Sequence, residues 1–294
     1  MSALRHRTKS ISVLMAALNA ESTIETAVKS ALFALSQFDE LLVFLDGCTD
    51  GTKSVVDKIQ DPRLRVFSSP TSKGRSEARN QLSLEARGDY IAILDADDVC
   101  LPWRFTITRR LLKKFDVVFG AAILFGDLPL RLPFAITFPT AIGPEIAPLV
   151  LTYRNPYIHS TAIFRRDAVV PGYLYEDAVA EEYVLWIKMA NQGLKLYRSR
   201  MPIAAYRLHP QQLTSSKSYV KRVQSCPTLE QHRSILRESQ LSKLEQRKPN
   251  TSTPAEILAQ HAHNISRALW LEENLTQLIR TIFPWLKKGL DTWR

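Results

Sequence analysis

The stretch from Tyr90 to Asp98 constrains the fold of this chain more than any other. An apolar run of β-forming residues ends there in three carboxylates among four positions, Asp95, Asp97 and Asp98, which we call the acid cluster. Such a run is typical of a buried strand, and neighbouring acids repel one another in water. Two interpretations fit. A divalent cation neutralises the acids at the carboxyl end of a parallel strand, or Asp97 or Asp98 caps the next helix.

Strand and helix patterns alternate on both sides of this stretch. Apolar runs predict strands, and apolar residues at helical spacing predict helices between them. The predicted strands cover residues 11–18, 40–45, 63–67, 90–94, 117–125, 161–164, 194–197 and 203–206, and the main predicted helices cover 21–35, 75–86, 103–114 and 180–192. Polar residues gather after the strand ends, so the sequence predicts an α/β fold with an open, mainly parallel sheet that binds its ligand at the carboxyl edge. The proline-rich stretch 127–148 is expected to form a surface loop beside that site.

Composition indicates a soluble globular protein, because 45% of the 294 residues are hydrophobic and 23% are charged. Three widely spaced cysteines match no metal-ligand spacing, which favours free thiols in a reducing compartment. The sequence contains neither a signal-peptide pattern nor an uninterrupted apolar span of membrane length. We therefore expect a cytoplasmic protein.

The net charge of +10 comes entirely from the last third of the chain. Residues 195–294 hold 17 Lys and Arg against 7 Asp and Glu, whereas residues 1–194 hold 22 of each. This asymmetry predicts an attachment surface for anionic lipid, such as the inner face of a cell membrane, or for another polyanion. Nucleic-acid binding is disfavoured, because the basic region lacks interleaved aromatic residues and a recognisable module.

Two units are predicted: an α/β domain over residues 1–216 and a basic, mostly helical extension over residues 217–294. Within the extension, the polar residues 243–254 predict a linker. An apolar stripe from Ile257 to Trp293, interrupted by Pro284, predicts a kinked helix. Packing on the main domain or on a partner is the commoner use of such a stripe, and a membrane-surface helix is the alternative.

Seven motifs carry a resemblance to a known family. In chain order they read NAESTIETAVKSAL, DGCTDGT, KGRSEARN, GDYIAILDADD, NPYIHSTAIFRRDA, AEEYVLWIKMANQG and YRLHPQQLTSS, and they cover residues 10–216. In order and spacing this set resembles the family 2 glycosyltransferases of the GT-A fold. The resemblance implies inverting transfer of a sugar from a nucleotide-diphosphate donor to a glycan or lipid-linked acceptor, in the synthesis of cell-envelope or exported polysaccharide.

The resemblance also implies roles for residues on the donor side. Asp46, the acid after the second strand, would contact the nucleotide base, and turn and capping chemistry is its alternative role. Arg79 would lie near the nucleotide or its diphosphate, and an exposed arginine on a helix is the alternative. Asn19, at the end of the first strand, is assigned to substrate binding as well. The preceding residues Ala16-Ala17-Leu18 lack the polar and aromatic groups that help to hold the base in the family, so the resemblance does not specify the nucleotide.

A cation site follows from the same resemblance. Asp95 and Asp97 match the family's Asp-x-Asp motif. Asp97 would ligate Mg²⁺ or Mn²⁺ at the diphosphate, and Asp95 would hold the ribose or a metal-bound water. His209 and Arg207 match the family's Arg-x-His-x-x-Gln pattern, which places His209 at the diphosphate or the metal and Arg207 among the substrate-binding residues.

On the acceptor side, the family has an acidic pair at the start of a helix, and Glu181 and Glu182 match it here. Glu182 is the expected base for the acceptor hydroxyl, with Glu181 beside it in the catalytic pair. Glu in place of the family's Asp lengthens the reach by a methylene. Two acids are also favourable in the first turn of any helix, which explains the pair without catalysis. His159 and Ser160 match residues that line the acceptor side.

Two other classes of function stay open on the sequence. A non-catalytic sugar-nucleotide sensor or assembly partner would explain the reduced set of base-binding residues. A phosphatase or phosphotransferase would use Asp95 as its nucleophile, but the Asp-x-Asp motif of such enzymes normally follows the first strand, and here it follows the fourth.

Overall fold

The computed structural model describes residues 9–127, 135–136, 140–209 and 217–246. Within these ranges the chain forms nine strands and eight α-helices. The strands are β1 (Ile11–Ala17), β2 (Glu40–Asp46), β3 (Leu64–Ser69), β4 (Tyr90–Ile93), β5 (Val99–Cys100), β6 (Val117–Gly126), β7 (Ala135–Ile136), β8 (Ile163–Arg165) and β9 (Leu196–Leu208). The helices are α1 (Ile24–Ala34), α2 (Thr52–Val56), α3 (Arg75–Glu85), α4 (Arg104–Leu111), α5 (Ala147–Leu151), α6 (Glu181–Asn191), α7 (Lys217–Gln224) and α8 (Pro227–Gln246).

All described strands belong to one sheet, in the order β3-β2-β1-β4-β8-β6-β9-β5, with β7 paired to β6. Strands β1 to β4 pair in parallel, as predicted. Strand β8 runs antiparallel to both β4 and β6, so the second half of the sheet is mixed. Because β1 lies between β2 and β4, the connections after β1 and β4 diverge and leave a crevice at the carboxyl ends of these strands.

Side chains of the central strands alternate between two hydrophobic clusters, one on each face of the sheet. On one face, Val13 and Met15 of β1 pack with the buried stripe of α1. On the other face, Leu14 and Leu42 pack with α3 and α6, whose Trp186 is completely buried. Burying one such large apolar side chain stabilises the fold by about 1.5–3 kcal/mol, so the strands that end at the crevice are held firmly.

Three parts of the chain differ from the predicted elements. The two short strands predicted at 194–197 and 203–206 are one strand, β9, whose register against β6 shifts around Ala121 so that Pro202 is accommodated. The strand predicted at 161–164 begins later, because His159–Thr161 forms a 3-10 turn. The loop predicted at 127–148 contains β7 and the start of α5 in its described part, and its other residues lie partly outside the described ranges.

The described part of the extension packs into the core of the α/β domain. Cys226, Leu229 and Leu236 belong to the same hydrophobic cluster as α6. The Arg233 guanidinium also lies 5.3 Å from the centre of the Tyr183 ring on α6. These residues of the extension therefore share the core of the domain that was predicted to end at residue 216.

The first residues of the predicted linker, 243–246, belong to α8 instead. The remainder of the linker, and the apolar stripe with Pro284, lie outside the described residues. Within the ranges that the structure describes, no helix combines the length and apolar character that crossing a bilayer requires.

Candidate active site

The acid cluster lies in the short turn that joins β4 to β5, at the carboxyl edge of the sheet. Asp98 is completely buried, and one of its carboxylate oxygens accepts the backbone N–H of Arg207 at 2.8 Å. Helix α4 begins only at Arg104 and has no side-chain cap. The prediction that Asp97 or Asp98 caps this helix is therefore wrong, because strand β5 intervenes and pairs with β9 before the helix starts.

Arg79 of α3 joins the acid cluster to the acidic pair of α6. Its side chain is buried; one terminal nitrogen lies 2.6 Å from Asp95 Oδ1 and the other 3.3 Å from Glu181 Oε1. Burial alone would raise the pKa of Asp95, but the Arg79 charge, aided by His159 and Ser160, holds that pKa well below its usual range. Asp95 is therefore ionised. Because the Arg79 guanidinium contacts both sides, the acid cluster and the acidic pair of α6 lie within the span of one guanidinium.

Asp97 and His209 come together although they are 112 positions apart in the chain. Asp97 Oδ2 lies 3.1 Å from His209 Nε2, and each side chain is about one-third exposed. Burial and the negative charge of Asp95 raise the pKa of Asp97, with His209 opposing them. Arg207 secures this turn, because its Nε donates to the Asp97 carbonyl at 2.9 Å and its guanidinium lies 4.4 Å from the centre of the Phe125 ring.

The donor atoms at this point suit Mg²⁺ or Mn²⁺. A carboxylate oxygen and an imidazole nitrogen are ligands that Mn²⁺ accepts, and Mg²⁺ takes the carboxylate. Among the described residues, no three His, Cys, Asp or Glu side chains converge to form a complete protein cage. Such a pair fits a cation that takes its other ligands from a diphosphate and from water. The metal assignment of Asp97, Asp95 and His209 stays a prediction.

The two acids at the start of α6 have different surroundings. Glu181 is completely buried, and its carboxylate binds Arg75 through Nε and through a terminal nitrogen at 2.8 Å, in addition to Arg79. Glu182 is half-buried, and the arginines that bind Glu181 form no ion pair with it. Burial and the charge of Glu181 raise the pKa of Glu182, while His159 and Arg75 oppose the rise. Of these two acids, Glu182 is therefore the one that Arg75 and Arg79 leave without an ion pair.

His159 and Ser160 lie between the two motifs. His159 Nε2 lies 2.7 Å from the Tyr175 hydroxyl, and Nδ1 lies 3.5 Å from Asp95 Oδ1. Ser160 is completely buried, and its hydroxyl accepts the Asp95 backbone N–H at 3.1 Å. Ser160 thus holds the backbone of the acid cluster at Asp95 in this structure. Its predicted contact with the acceptor stays a prediction.

The predicted base-binding residues hold loops at the carboxyl edge. Asn19 has a left-handed φ of 50°, and its side-chain oxygen accepts the Thr49 backbone N–H at 2.8 Å. Asp46 is 3% exposed, and its carboxylate accepts the Ser72 hydroxyl and the backbone N–H groups of residues 73 and 74. Asp46 therefore shapes the turn into α3 here, and its contact with a nucleotide base stays a prediction.

Sequence reasoning missed three residues of this site. Arg75 lies four positions before Arg79 on the same face of α3, a spacing that could have identified it. Tyr175 is held by Asn80, whose side chain bonds both the N–H and the C=O of that residue at 2.8 and 2.9 Å. Arg104 is completely buried and donates to the Ile93 carbonyl at 2.8 Å, at the end of β4. No local pattern marks Tyr175 or Arg104.

Comparison with known proteins identifies the family. Residues 12–170 match the sequence profile of Glycosyl transferase family 2. A relative from Escherichia coli, the UDP-Glc:alpha-D-GlcNAc-diphosphoundecaprenol beta-1,3-glucosyltransferase WfaP, is 27% identical over 208 residues, which are 70% of this chain and 80% of that protein. The succinoglycan biosynthesis protein ExoO of Rhizobium meliloti (strain 1021) is 31% identical over 157 residues, 53% of this chain and 44% of that protein.

Solved structures agree on the fold. The crystal structure of S. aureus TarS 1-349 in complex with UDP-GlcNAc matches with a TM-score of 0.58 at 18% identity, over 72% of this chain and 64% of that one. The chain thus spans less than two thirds of that solved protein, and the likeness confirms the predicted GT-A fold. The profile match covers more than half of the 294 residues. The chain therefore belongs to glycosyltransferase family 2.

Proposed function

We propose that this glycosyltransferase is inverting and metal-dependent, and that it moves a sugar from a uridine-diphosphate donor to a glycan or lipid-linked acceptor for cell-envelope or exported polysaccharide. One observation carries the proposal. The Arg79 guanidinium contacts both Asp95 and Glu181, so the acid cluster and the acidic pair of α6 face one crevice. A donor diphosphate and an acceptor hydroxyl need such adjacent sites for in-line displacement.

Glu182 is the proposed base. Its carboxylate takes the proton of the acceptor hydroxyl while the acceptor oxygen forms a bond to the anomeric carbon. The bond from that carbon to the diphosphate oxygen breaks, and the diphosphate leaves with the electron pair on the opposite face. A raised pKa makes Glu182 a stronger base than an exposed carboxylate, which favours this transfer.

Asp97 and His209 would hold the cation on the donor side. When bound, Mg²⁺ or Mn²⁺ would offset the negative charge that builds on the departing diphosphate. Asp95 stays ionised through Arg79 and can accept hydrogen bonds from ribose hydroxyls. Arg207 and Ser160 hold the backbone at Asp97 and at Asp95, respectively.

The names of relatives support the substrate classes. WfaP is named for UDP-Glc as donor and for a diphosphoundecaprenol acceptor, and the TarS crystals contain UDP-GlcNAc. The beta linkage in the WfaP name is the one that a single displacement gives from an alpha-linked donor. We extend to this chain a uridine-diphosphate sugar and a lipid-linked acceptor.

Binding and transfer test the proposal in two steps. Nucleotide diphosphates with and without Mn²⁺ are screened for the rise in melting temperature that binding to the folded state produces, and UDP with Mn²⁺ should give the largest rise. Transfer from UDP-sugars to a diphospholipid-linked sugar is then measured. Glu182→Gln should lose transfer and keep UDP binding, and the exposed Glu238→Gln should keep both. UDP binding without transfer in the wild-type protein would favour a non-catalytic sensor.

We further propose that the extension attaches the enzyme to anionic lipid beside a lipid-linked acceptor. Lys221 and Arg222 on α7 are exposed. Each basic side chain near an anionic surface contributes about 1 kcal/mol, so Lys221→Glu/Arg222→Glu should weaken binding to phosphatidylglycerol vesicles at low salt more than tenfold. Lys113→Glu/Lys114→Glu, a matched change at exposed positions after α4, should not. Equal losses in both variants, or no binding by the wild-type protein, would contradict membrane attachment.

A further inference from the structure

Tyr175 is buried beside Arg79 and His159 in the candidate site. It is 4% exposed, and its hydroxyl oxygen lies 2.7 Å from His159 Nε2. The Arg79 guanidinium lies 5.5 Å from the centre of the Tyr175 ring. The His159 side chain is itself 12% exposed, so little water competes with the hydrogen bond between the phenol and the imidazole. This bond can therefore determine how the imidazole is oriented.

Three helices fix the backbone at Tyr175. Asn80 of α3 accepts the Tyr175 backbone N–H at 2.8 Å and donates to the Tyr175 carbonyl at 2.9 Å. Glu176, the next residue, lies 2.8 Å from Lys188 of α6 and 3.1 Å from His232 of α8. Because these contacts hold the backbone on two sides, the position of the phenol does not depend on His159.

His159 faces the acid cluster through its other ring nitrogen. Nδ1 lies 3.5 Å from Asp95 Oδ1, the same oxygen that lies 2.6 Å from Arg79. An ionised carboxylate can only accept, so a neutral imidazole here carries its proton on Nδ1 and accepts the Tyr175 hydroxyl at Nε2. Two donors at one oxygen limit the rotation of the Asp95 carboxylate, whose side chain stays 28% exposed.

We propose that Tyr175 is a positioning residue of the active site, whose hydroxyl holds the His159 imidazole against Asp95 and so keeps that carboxylate oriented for the ribose of the donor. This inference rests on the proposed role of Asp95 in donor binding. Without the hydroxyl, Nε2 loses the partner that selects the tautomer, and the imidazole can turn away from Asp95. Asp95 then keeps Arg79 and loses its second donor, so the affinity for the nucleotide falls.

Kinetics and binding of the full-length enzyme test the role. Tyr175→Phe removes only the hydroxyl and should raise the donor KM about three- to tenfold, as expected for a lost hydrogen bond between neutral groups. The affinity for UDP, which contains the ribose, should fall by the same factor. The acceptor KM and kcat should stay within about twofold of wild type, because the changed contacts lie on the donor side. Tyr153→Phe, at a tyrosine that is 71% exposed, is the matched control and should behave as wild type. An unchanged donor KM in Tyr175→Phe would overturn the proposal.

A double-variant cycle separates positioning from packing. His159→Phe keeps a ring at that position and removes both nitrogens. In this background, adding Tyr175→Phe should change the affinity for UDP by less than about twofold, because the hydroxyl no longer has an imidazole to hold. If Tyr175→Phe weakened UDP binding equally in both backgrounds, the hydroxyl would act without His159 and the proposal would fail.

The tautomer of His159 tests the contact without donor or activity. Long-range proton–nitrogen NMR spectra are recorded on protein labelled at histidine nitrogens, in mildly alkaline buffer, and the His159 signals are identified by their loss in His159→Phe. The wild-type ring should be protonated on Nδ1. Tyr175→Phe should shift the ring toward the Nε2–H form, and Tyr153→Phe should not.

A wild-type ring protonated on Nε2, alone or together with Nδ1, would refute the contact. Failure of the wild-type protein to transfer sugar would count against the proposed function, and the tautomer would still decide whether Tyr175 holds His159.

Discussion

Replacement of Glu181 by Gln is the most direct test of whether the two acids at the start of α6 have different roles. The change keeps the shape of the side chain and removes one negative charge from between Arg75 and Arg79. Loss of one partner from a buried ion pair costs about 3–5 kcal/mol. Here the loss should be smaller, about 2–3 kcal/mol, because Arg79 keeps Asp95, water reaches the partly exposed Arg75, and the Gln oxygen still accepts a hydrogen bond. For a domain of this size, that corresponds to a fall in melting temperature of about 5–10 °C.

The same variant should change the pH dependence of catalysis in a fixed direction. Burial and the Glu181 charge raise the pKa of Glu182. Removing that charge lowers the Glu182 pKa, so Glu182 becomes ionised at lower pH. Because the base must be ionised, the acid limb of kcat/KM against pH should move to lower pH, and the plateau rate should fall as the base weakens.

Melting curves and pH profiles of Glu181→Gln and Glu25→Gln provide the assay. Glu25 is an exposed acid paired with Lys29 on α1, so its replacement should leave both the melting temperature and the pH profile unchanged. An unchanged melting temperature in Glu181→Gln would show that Arg75 and Arg79 do not depend on this carboxylate. An acid limb that stayed in place would show that Glu182 is not the group that titrates.

Three further predictions concern other parts of the molecule. Asp97→Asn should abolish the Mn²⁺-dependent part of the UDP-induced rise in melting temperature, and an unchanged rise would exclude Asp97 as the metal ligand. Burial and the charges of its neighbours raise the pKa of Asp98, so the folded protein holds a proton that the unfolded chain releases. Relative to Asp98→Asn, whose side chain cannot titrate, the wild-type free energy of unfolding in ligand-free urea titrations should therefore fall as pH rises above about 4. Leu236→Ala, at a completely buried position on α8, should cost about 2–5 kcal/mol in urea unfolding, and a surface-like cost below about 0.5 kcal/mol would show that α8 does not dock on α6.

The sequence was sufficient for the elements that local pattern determines. Alternating strands and helices from β1 to β4 follow from apolar periodicity, and the parallel pairing follows from that alternation. The antiparallel insertion of β8 between β4 and β6 depends on pairing across more than seventy positions, which periodicity does not report. Strand β9 seemed to be two strands because its polar centre, with Pro202, interrupts the apolar pattern, whereas a register shift accommodates it.

The sequence predicted which acids belong to the candidate site. It did not predict how the surroundings of these acids differ. Motif spacing identified the acids at both ends of the crevice. The surroundings that distinguish Glu181 from Glu182 come from Arg75 and Arg79, about a hundred positions earlier in the chain. Burial of Asp98 likewise depends on strand β9, and no pattern in the sequence around residue 98 indicates it. Contacts of this kind are determined by tertiary packing and produce no pattern in the local sequence.

Beside the buried Asp98, four acids lie at this edge, and charge balance explains how two arginines divide them. Arg75 and Arg79 lie one turn apart on α3, and together they neutralise Glu181 and Asp95. The pKa values of the remaining two acids, Glu182 and Asp97, are raised, because each is partly buried beside an ionised carboxylate. A raised pKa is what a base requires, and a carboxylate next to a partly exposed imidazole is what a divalent cation would neutralise. Each acidic motif thus contains one acid that the arginines hold in place and one that they leave for the proposed chemistry, and α3 is the element that makes the division.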